Sequence, residues 1–335
     1  VSEGGSNWRV VQYQKASGVA VVVAGASITG WTASTNTASP NNTVNAARML
    51  VASASTNADA VIQPKGTGAF QLQLADNTAT GGNKRGVGAV DLQLGRANAG
   101  KVASGANAFT AGYECEASGT RSVSIGDSNT SSAYATTAIG SGTMVSADYG
   151  VGIGYSVQIT GVQATGIGVS LSLAATKSSG RGNNGTDRGV QADVLGFGSN
   201  SRQARKVPLI GQTTNATPLV LTVDAGAPSG SNQLVLPFTF SGVNAFGLKG
   251  TVIVKNGSTG AVSHWTFAAT MKDIASTKSV VGTPSIVLVS QDASLAATTF
   301  TITADNTNGA MALTVTGISA TLDWFAVAEV LEHLS

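Results

Sequence analysis

The chain has 335 residues, of which 11% are charged and 5% aromatic, and its formal net charge is +2. The low charge argues against charge-driven disorder, and the near-neutral balance predicts no nucleic-acid partner. The single cysteine, Cys115, excludes an intrachain disulfide framework and paired-cysteine metal sites. The longest apolar run, at 19–26, is too short to span a bilayer, so we expect no membrane insertion.

The first two regions of the chain show no regular repeat. For residues 1–56 we predict an N-terminal attachment region with strands at 8–13 and 19–26, a polar loop over 32–45 and one short helix from Thr43 to Ala54. Residues 57–105 alternate apolar pieces with glycine turns. Their segments 69–74 and 89–94 alternate polar and apolar residues with period two, which predicts half-buried strands.

A 14-residue repeat occupies residues 106–197. The dipeptide Ile-Gly recurs there at a constant spacing, and single glycines continue the spacing on both sides. Because a fixed short period is typical of stacked units of one design, we predict a β-roll. The residues that define the repeat are Gly112, Ile125, Gly126, Ile139, Gly140, Ile153, Gly154, Ile167, Gly168, Gly182 and Gly196.

One apolar face of this roll has no partner within its own chain. The chain is also poor in the aromatic and long aliphatic side chains that fill a monomeric core. Three copies around an axis would bury the face, so we predict an obligate homotrimer. The side chains predicted to share the face in one coil are Tyr149, Val151, Ile153, Tyr155, Val157 and Ile159.

The remaining residues differ from the roll in composition. The basic residues Arg202, Arg205 and Lys206 predict a neck over 198–210. In 211–335, strand-like runs recur between turn signals such as Asn256-Gly257, which predicts an antiparallel β-sandwich. The predicted fold class is therefore all-β, a homotrimeric fibre with a β-roll shaft and a C-terminal sandwich.

Parts of this sequence resemble two protein families. The 14-residue repeats that contain Ile-Gly resemble the head repeats of trimeric autotransporter adhesins, which are left-handed β-rolls. The segments VIQPKGTGAFQLQ at 61–73, TGGNKRG at 80–86 and AVD at 89–91 resemble a block of tailed-bacteriophage tail-fibre proteins. The C-terminal pieces TTNAT at 213–217, ADNTNG at 304–309 and LTVTG at 313–317, with Trp324, resemble phage fibre tips.

This resemblance implies a homotrimeric virion fibre with a distal domain that contacts the host. We accordingly predict a non-enzymatic, extracellular tail fibre that binds other virion tail or capsid proteins through its N-terminal region and a host-surface glycan or protein through its C-terminal domain. The first alternative is a structural fibre or decoration protein of the capsid or tail, without a specific receptor. The others are a bacterial trimeric adhesin head and a glycan depolymerase tailspike. The adhesin is disfavoured because no adhesin-type membrane anchor follows residue 335.

Loops on a fixed scaffold tolerate variation and commonly carry binding residues. Trp265, Phe267, Trp324 and Phe325 could stack on sugars, but alternate members of these strands are expected to face the core. The predicted receptor-contact residues therefore lie in turns, and they are Asn256, Ser258, Thr259, Gln291, Asp292, Asp305, Asn306 and Asn308.

Motifs for chemistry are weak. Gly95–Lys101 has the spacing of a phosphate-binding loop, but Val102 replaces the hydroxyl residue that would bind Mg²⁺, so we predict a glycine turn. Two separated histidines, His264 and His333, predict no metal site, and no cofactor is expected. The acids predict no catalytic pair of carboxylates. Those considered are Glu114, Glu116, Asp127, Asp148, Asp187 and Asp193 in the repeat, and Asp292, Asp305 and Asp323 in or beside turns.

Overall fold

The computed structural model describes residues 31–36, 46–51, 57, 59, 61–187, 191–199, 202–235, 243–274 and 277–333. The chain forms two compact units, 1–63 and 64–335. Strands are the main regular element of the described residues, whose single helix is the short 3₁₀ helix Ala293–Leu295. Within these ranges there is no helix of the length and apolarity needed to cross a membrane.

The regular structure described in the first unit is one antiparallel pair of strands. Strand β1 (Trp31–Asn36) pairs with β2 (Ala46–Val51), and Trp31 lies opposite Val51. The predicted helix over 43–54 and the predicted loop over 32–45 are therefore wrong at these positions. A short apolar run fits a helix or a strand equally well, and here a second strand satisfies its backbone groups. The predicted strands at 8–13 and 19–26 lie outside the described residues.

The second unit contains a β-solenoid whose coils repeat every 14 residues. Five coils have a five-residue strand and a two-residue strand, the coil of β15 has a five-residue strand alone, and equivalent residues of successive coils pair in parallel, as Gly112 does with Gly126. The five-residue strands are β5 Phe109–Tyr113, β7 Val123–Asp127, β9 Thr137–Ser141, β11 Val151–Tyr155, β13 Thr165–Val169 and β15 Ser179–Asn183. The two-residue strands are β6 Glu116–Ala117, β8 Thr130–Ser131, β10 Met144–Val145, β12 Gln158–Ile159 and β14 Ser172–Leu173.

The repeat glycines allow the coils to stack closely. A Cβ on Gly140 would lie 1.9 Å from the carbonyl oxygen of Gly154, and φ of Gly140 is +124°, in a region that L side chains rarely adopt. Before the repeat, β3 (Phe70–Gln71) and β4 (Val90–Gly95) extend the same sheet, and after it β16 (Asp193–Ser199) does so.

Each coil has an interior of its own, which the sequence analysis did not predict. Val157 and Ile159 are fully buried inside the coil, whereas Val151, Ile153 and Tyr155 point outward. At Ser156, where φ is +52°, the backbone turns, and the apolar side chains after it point into the coil. The prediction that all these side chains share one face is therefore wrong. The interior is apolar in the first coil, polar in the second and increasingly apolar from there on, in the pairs Cys115/Ala117, Asn129/Ser131, Thr143/Val145, Val157/Ile159 and Leu171/Leu173.

The C-terminal residues continue the long sheet of the solenoid with five antiparallel strands. These are, in chain order, β17 Arg202–Thr213, β20 Val243–Asn256, β21 Val262–Ile274, β22 Thr277–Gln291 and β25 Leu322–His333. Strand β17 pairs with β16 on one side and with β25 on the other, so residues 202–210 of the predicted neck belong to a sheet strand. The order across the sheet is β16-β17-β25-β20-β21-β22.

A smaller sheet lies beside these strands. It consists of β18 (Pro218–Val220), β19 (Leu234–Val235), β23 (Thr299–Asp305) and β24 (Ala310–Thr316). Buried side chains of both sheets and of the last solenoid coils belong to one core. A separate C-terminal sandwich is not confirmed, because the large sheet is continuous with the roll. The finer domain boundaries remain predictions.

Candidate functional site

Two of the predicted contact loops lie together at one end of the long antiparallel strands. The Asn256 side chain is mostly buried and accepts hydrogen bonds from the backbone N–H groups of Ser258 and Thr259, at 2.9 and 3.1 Å. Asp292 accepts from the N–H of Val262 at 2.8 Å, and Gln291 donates to the carbonyl of Leu295 at 2.9 Å. These hydrogen bonds hold the two loops in shape, while Ser258, Thr259 and Asp292 remain exposed.

The third predicted loop lies at the other end of β21. Asn306 accepts from the N–H of Lys278, which pairs with Asp273 near the end of that strand. Val262 and Asp273 are eleven positions apart, which at roughly 3.3 Å per residue is about 36 Å. Burial pushes the pKa of Asp305 upward, but hydrogen bonds from Asn308 and Gln233 outweigh it and leave the pKa below its ordinary value. The predicted contact residues do not form one surface.

Most of the aromatic residues considered for sugar stacking lie in the core. Trp265 and Trp324 stack with ring centroids 5.9 Å apart, both are buried, and Phe267 packs against Phe300. The Trp324 Nε1–H donates to the Thr213 hydroxyl at 2.9 Å. Only Phe325 among the four candidates is exposed, so they do not make a platform for sugars.

The two outer faces of the solenoid differ in character. On the long sheet Ile125, Ile139, Ile153 and Ile167 lie opposite one another in consecutive strands and point outward. Ile167 is 47% exposed, although isoleucine is usually buried. We call these four residues the isoleucine row. The outer face of the short strands carries the polar or flexible side chains Glu116, Thr130, Met144, Gln158 and Ser172.

A row of alternating charges runs beside the extension of the isoleucine row, two residues away along β15, because Asp193 lies opposite Ser179 whereas Arg181 lies opposite Leu195. Arg181 occupies the position next to Ile167. In the strands that follow, Asp193 lies opposite Lys206, and Lys206 lies opposite Glu329. Beyond them Glu329 lies opposite Lys249, and their charged groups are 3.3 Å apart. The row therefore crosses the joint between the parallel solenoid and the antiparallel strands.

Three cavities lie along this row, and we call them together the junction groove. Two of them share Asp193 and Lys206; their volumes are about 240 and 300 Å³. The third, of about 420 Å³, begins at Lys249. Small side chains leave this third space open, because Gly247, Ala268, Thr270, Thr283 and Ser285 line it.

The junction groove carries more positive than negative charge. Its cations are Lys177, Arg181, Lys206 and Lys249, and its carboxylates are Asp193 and Glu329. Among the described residues, Lys177, Arg181 and Lys206 form no ion pair, and Asp193 accepts a hydrogen bond from the Ser179 hydroxyl at 2.7 Å. The sequence analysis missed the groove because its residues come from strands far apart in the chain.

The weak chemical motifs have structural roles. Gly95–Lys101 forms a turn, in which Arg96 binds a buried network around Asp91 and Lys101 pairs with Glu116 at 3.1 Å. His264 and His333 lie opposite Ile253 and Ala245, so about 26 Å of strand separates them at roughly 3.3 Å per residue. In the described ranges no three His, Cys, Asp or Glu side chains are grouped as metal ligands.

Comparison with known proteins gives little. Neither a protein-family model nor a curated protein matches the chain. Among solved structures, the chain is similar to a tailspike protein of Acinetobacter baumannii bacteriophage Fri1, a capsular polysaccharide depolymerase, with 14% sequence identity and a TM-score of 0.23. The match covers 79% of this chain and 44% of the tailspike, so the chain spans less than half of that protein.

One prediction is corrected by this comparison. The sequence analysis predicted a protein without enzymatic activity, whereas the matched tailspike is an enzyme. That prediction is contradicted, and we withdraw it. A TM-score of 0.23 assigns no activity to this chain.

Proposed function

We propose that the chain is part of a homotrimeric fibre or tailspike on a bacteriophage virion and attaches the virion to a glycan on the host surface. The isoleucine row is the observation that carries the proposal. Its side chains point outward on one sheet of a solenoid that already has its own interior, while the opposite sheet is polar. A repeated apolar row with this placement suits contact with further copies of the chain.

The sequence resemblance supports the virion assignment. Residues 61–91 resemble a tail-fibre block, and within the structure they supply β3 and the start of β4 in the sheet that the repeat continues. In the proposed arrangement the N-terminal region binds other virion proteins. Three copies of each binding surface raise the avidity for a repetitive host polymer.

Cleavage of the bound glycan is a second candidate function, favoured by one observation. Asp193 and Glu329 line the same cavity and are separated in the sheet by the single strand that carries Lys206. Two strand spacings place their Cα atoms about 10 Å apart. Glycoside hydrolases use two carboxyl groups about 5–9.5 Å apart, which is close to this Cα separation.

Two measurements test the proposed function. Gold-labelled antibody against the chain should decorate virions, and the isolated protein should bind saturably to the bacterium on which the virus grows. Undecorated virions together with unsaturable binding would rule the proposal out. For the second candidate, the protein should clear zones in a layer of capsulated host cells, and the variant with both Asp193→Asn and Glu329→Gln should not; equal clearing by both proteins would exclude these carboxylates.

A further inference from the structure

We propose that the junction groove binds a linear glycan that carries carboxylate groups, such as a polymer of uronic acids. The inference rests on the proposed function, because it names the class of host glycan and the surface that binds it. It depends on three observations, which are the shape of the groove, its excess of cations and its small side chains, several of which carry hydroxyl groups.

The groove is long and open, which suits a polymer. Its charged row crosses the sheet from β15 to β22 through Ser179, Asp193, Lys206, Glu329 and Lys249 and then through Ala268 and Ser285. Seven strands span six gaps, and at roughly 4.8 Å per gap the row is about 29 Å long. A single sugar would occupy one of the three cavities, whereas an extended oligosaccharide can contact all three.

The charges determine the class of glycan. Four cations and two carboxylates line the groove, and one carboxylate, Glu329, is paired with Lys249, whose side chain is 63% exposed. Lys177, Arg181 and Lys206 are not in ion pairs with other described residues, and all three are exposed. A planar guanidinium binds a carboxylate through two parallel hydrogen bonds, which makes Arg181 the residue best suited to a uronate.

The remaining lining suits sugar hydroxyls. Thr270, Thr283 and Ser285 provide hydroxyl groups that donate and accept hydrogen bonds, and Ser179, whose hydroxyl donates to Asp193, can accept one. Asp193 and Glu329 can also accept hydrogen bonds from the glycan. The small side chains at Gly247 and Ala268 leave room for a sugar ring against the backbone. Another copy of the chain is a different occupant, and the experiment below separates it from a glycan.

The test is calorimetric titration of the full chain with hexameric oligogalacturonate and, in parallel, with maltohexaose as the neutral probe. The wild type should bind oligogalacturonate and release no heat with maltohexaose, and added salt should weaken the binding because the cations are exposed. Arg181→Gln with Lys206→Gln should weaken the affinity by about tenfold or more. The control, Lys255→Gln with Lys272→Gln, removes two exposed lysines outside the groove and should stay within about twofold of the wild type.

Three results would overturn the inference. These are equal heats from the two probes, an unchanged affinity in the Arg181/Lys206 variant, and a lower assembled mass of that variant in light scattering, which would assign the groove to contact between copies. Failure here is distinguishable from failure of the proposed function. A protein that decorates virions and binds host cells saturably, but does not bind oligogalacturonate, leaves the proposed function in place and removes only the assignment of the groove.

Discussion

Ile139 and Ile153 lie directly opposite each other on neighbouring parallel strands, and both point away from the interior of their coil. Each covers part of the other, so both are half-buried in a single chain. The relationship repeats because the coil length is 14 residues and the glycine after each isoleucine lets the next coil approach. The predictions below concern the interior that keeps these coils stacked and the row that they present.

Replacing a repeat glycine should destabilise the solenoid. In Gly140→Ala the new Cβ would lie 1.9 Å from the Gly154 carbonyl oxygen, at a φ of +124°. We expect the variant to unfold at a lower urea concentration. Its free energy of unfolding should fall by at least about 1–3 kcal/mol, the cost of such a backbone conformation alone. Gly257→Ala is the matched control, because the nearest atom to its Cβ would be 3.8 Å away. Equal unfolding midpoints for the two variants would show that the stacked glycines are not constrained.

The sequence predicts the parts of the fold that depend on residues close together in the chain. It does not predict the parts that depend on residues far apart. The glycines that recur every 14 residues predict the coil, because this pattern is local and repeated. The inward turn of Val157 was missed because the reversal occurs at Ser156, at a positive φ without glycine. Strand β17 was read as a neck because its partner, β25, lies more than a hundred residues further along the chain, as the pairing of Gln203 with Glu332 shows. No local pattern encodes that pairing, and the junction groove depends on it.

Breaking the ion pair between β17 and β25 should destabilise the protein. The Arg205 Nε lies 2.5 Å from a Glu332 oxygen, both side chains are fully buried, and Gln203 donates to the second oxygen at 3.0 Å. Removing one charge leaves the other buried, so Glu332→Gln should cost about 3–5 kcal/mol in chemical unfolding. Glu116→Gln removes the partner of Lys101 from a pair that is about a quarter exposed and should cost at most about 1 kcal/mol. A Glu332→Gln cost as small as that of the control would contradict this account.

Cys115 should report the opening of the first repeat coil. It is fully buried, and burial raises the pKa of its thiol. Because the thiolate is the reactive form, a disulfide reagent at neutral pH should modify Cys115 only when urea unfolds the roll. Ser118→Cys in a Cys115→Ser background places an exposed thiol nearby and should react at once. Rapid modification of native Cys115 is the result that this packing forbids.

Asp224 should stabilise its loop in a pH-dependent way. The N–H of Gly226 donates to its carboxylate at 2.9 Å, and this bond, with a further one from Asn232, holds the pKa of Asp224 below its ordinary value. A carboxylate with a lowered folded pKa stabilises the protein above its unfolded pKa, which is about 3.8, and the contribution disappears as the pH falls through the folded value. Asp224→Asn should therefore be less stable than the wild type at pH 7, and the difference should shrink toward pH 2. A constant difference in urea unfolding across that range would refute the assignment.

The mass of the assembled protein in solution is the most direct test of the central claim, that further copies of the chain cover the isoleucine row. Light scattering of the purified chain should give three times the mass of one chain. Ile153→Glu on the row should give single chains or aggregates, whereas Gln158→Glu on the polar sheet should retain the threefold mass. A folded wild-type protein with the mass of one chain would contradict the claim.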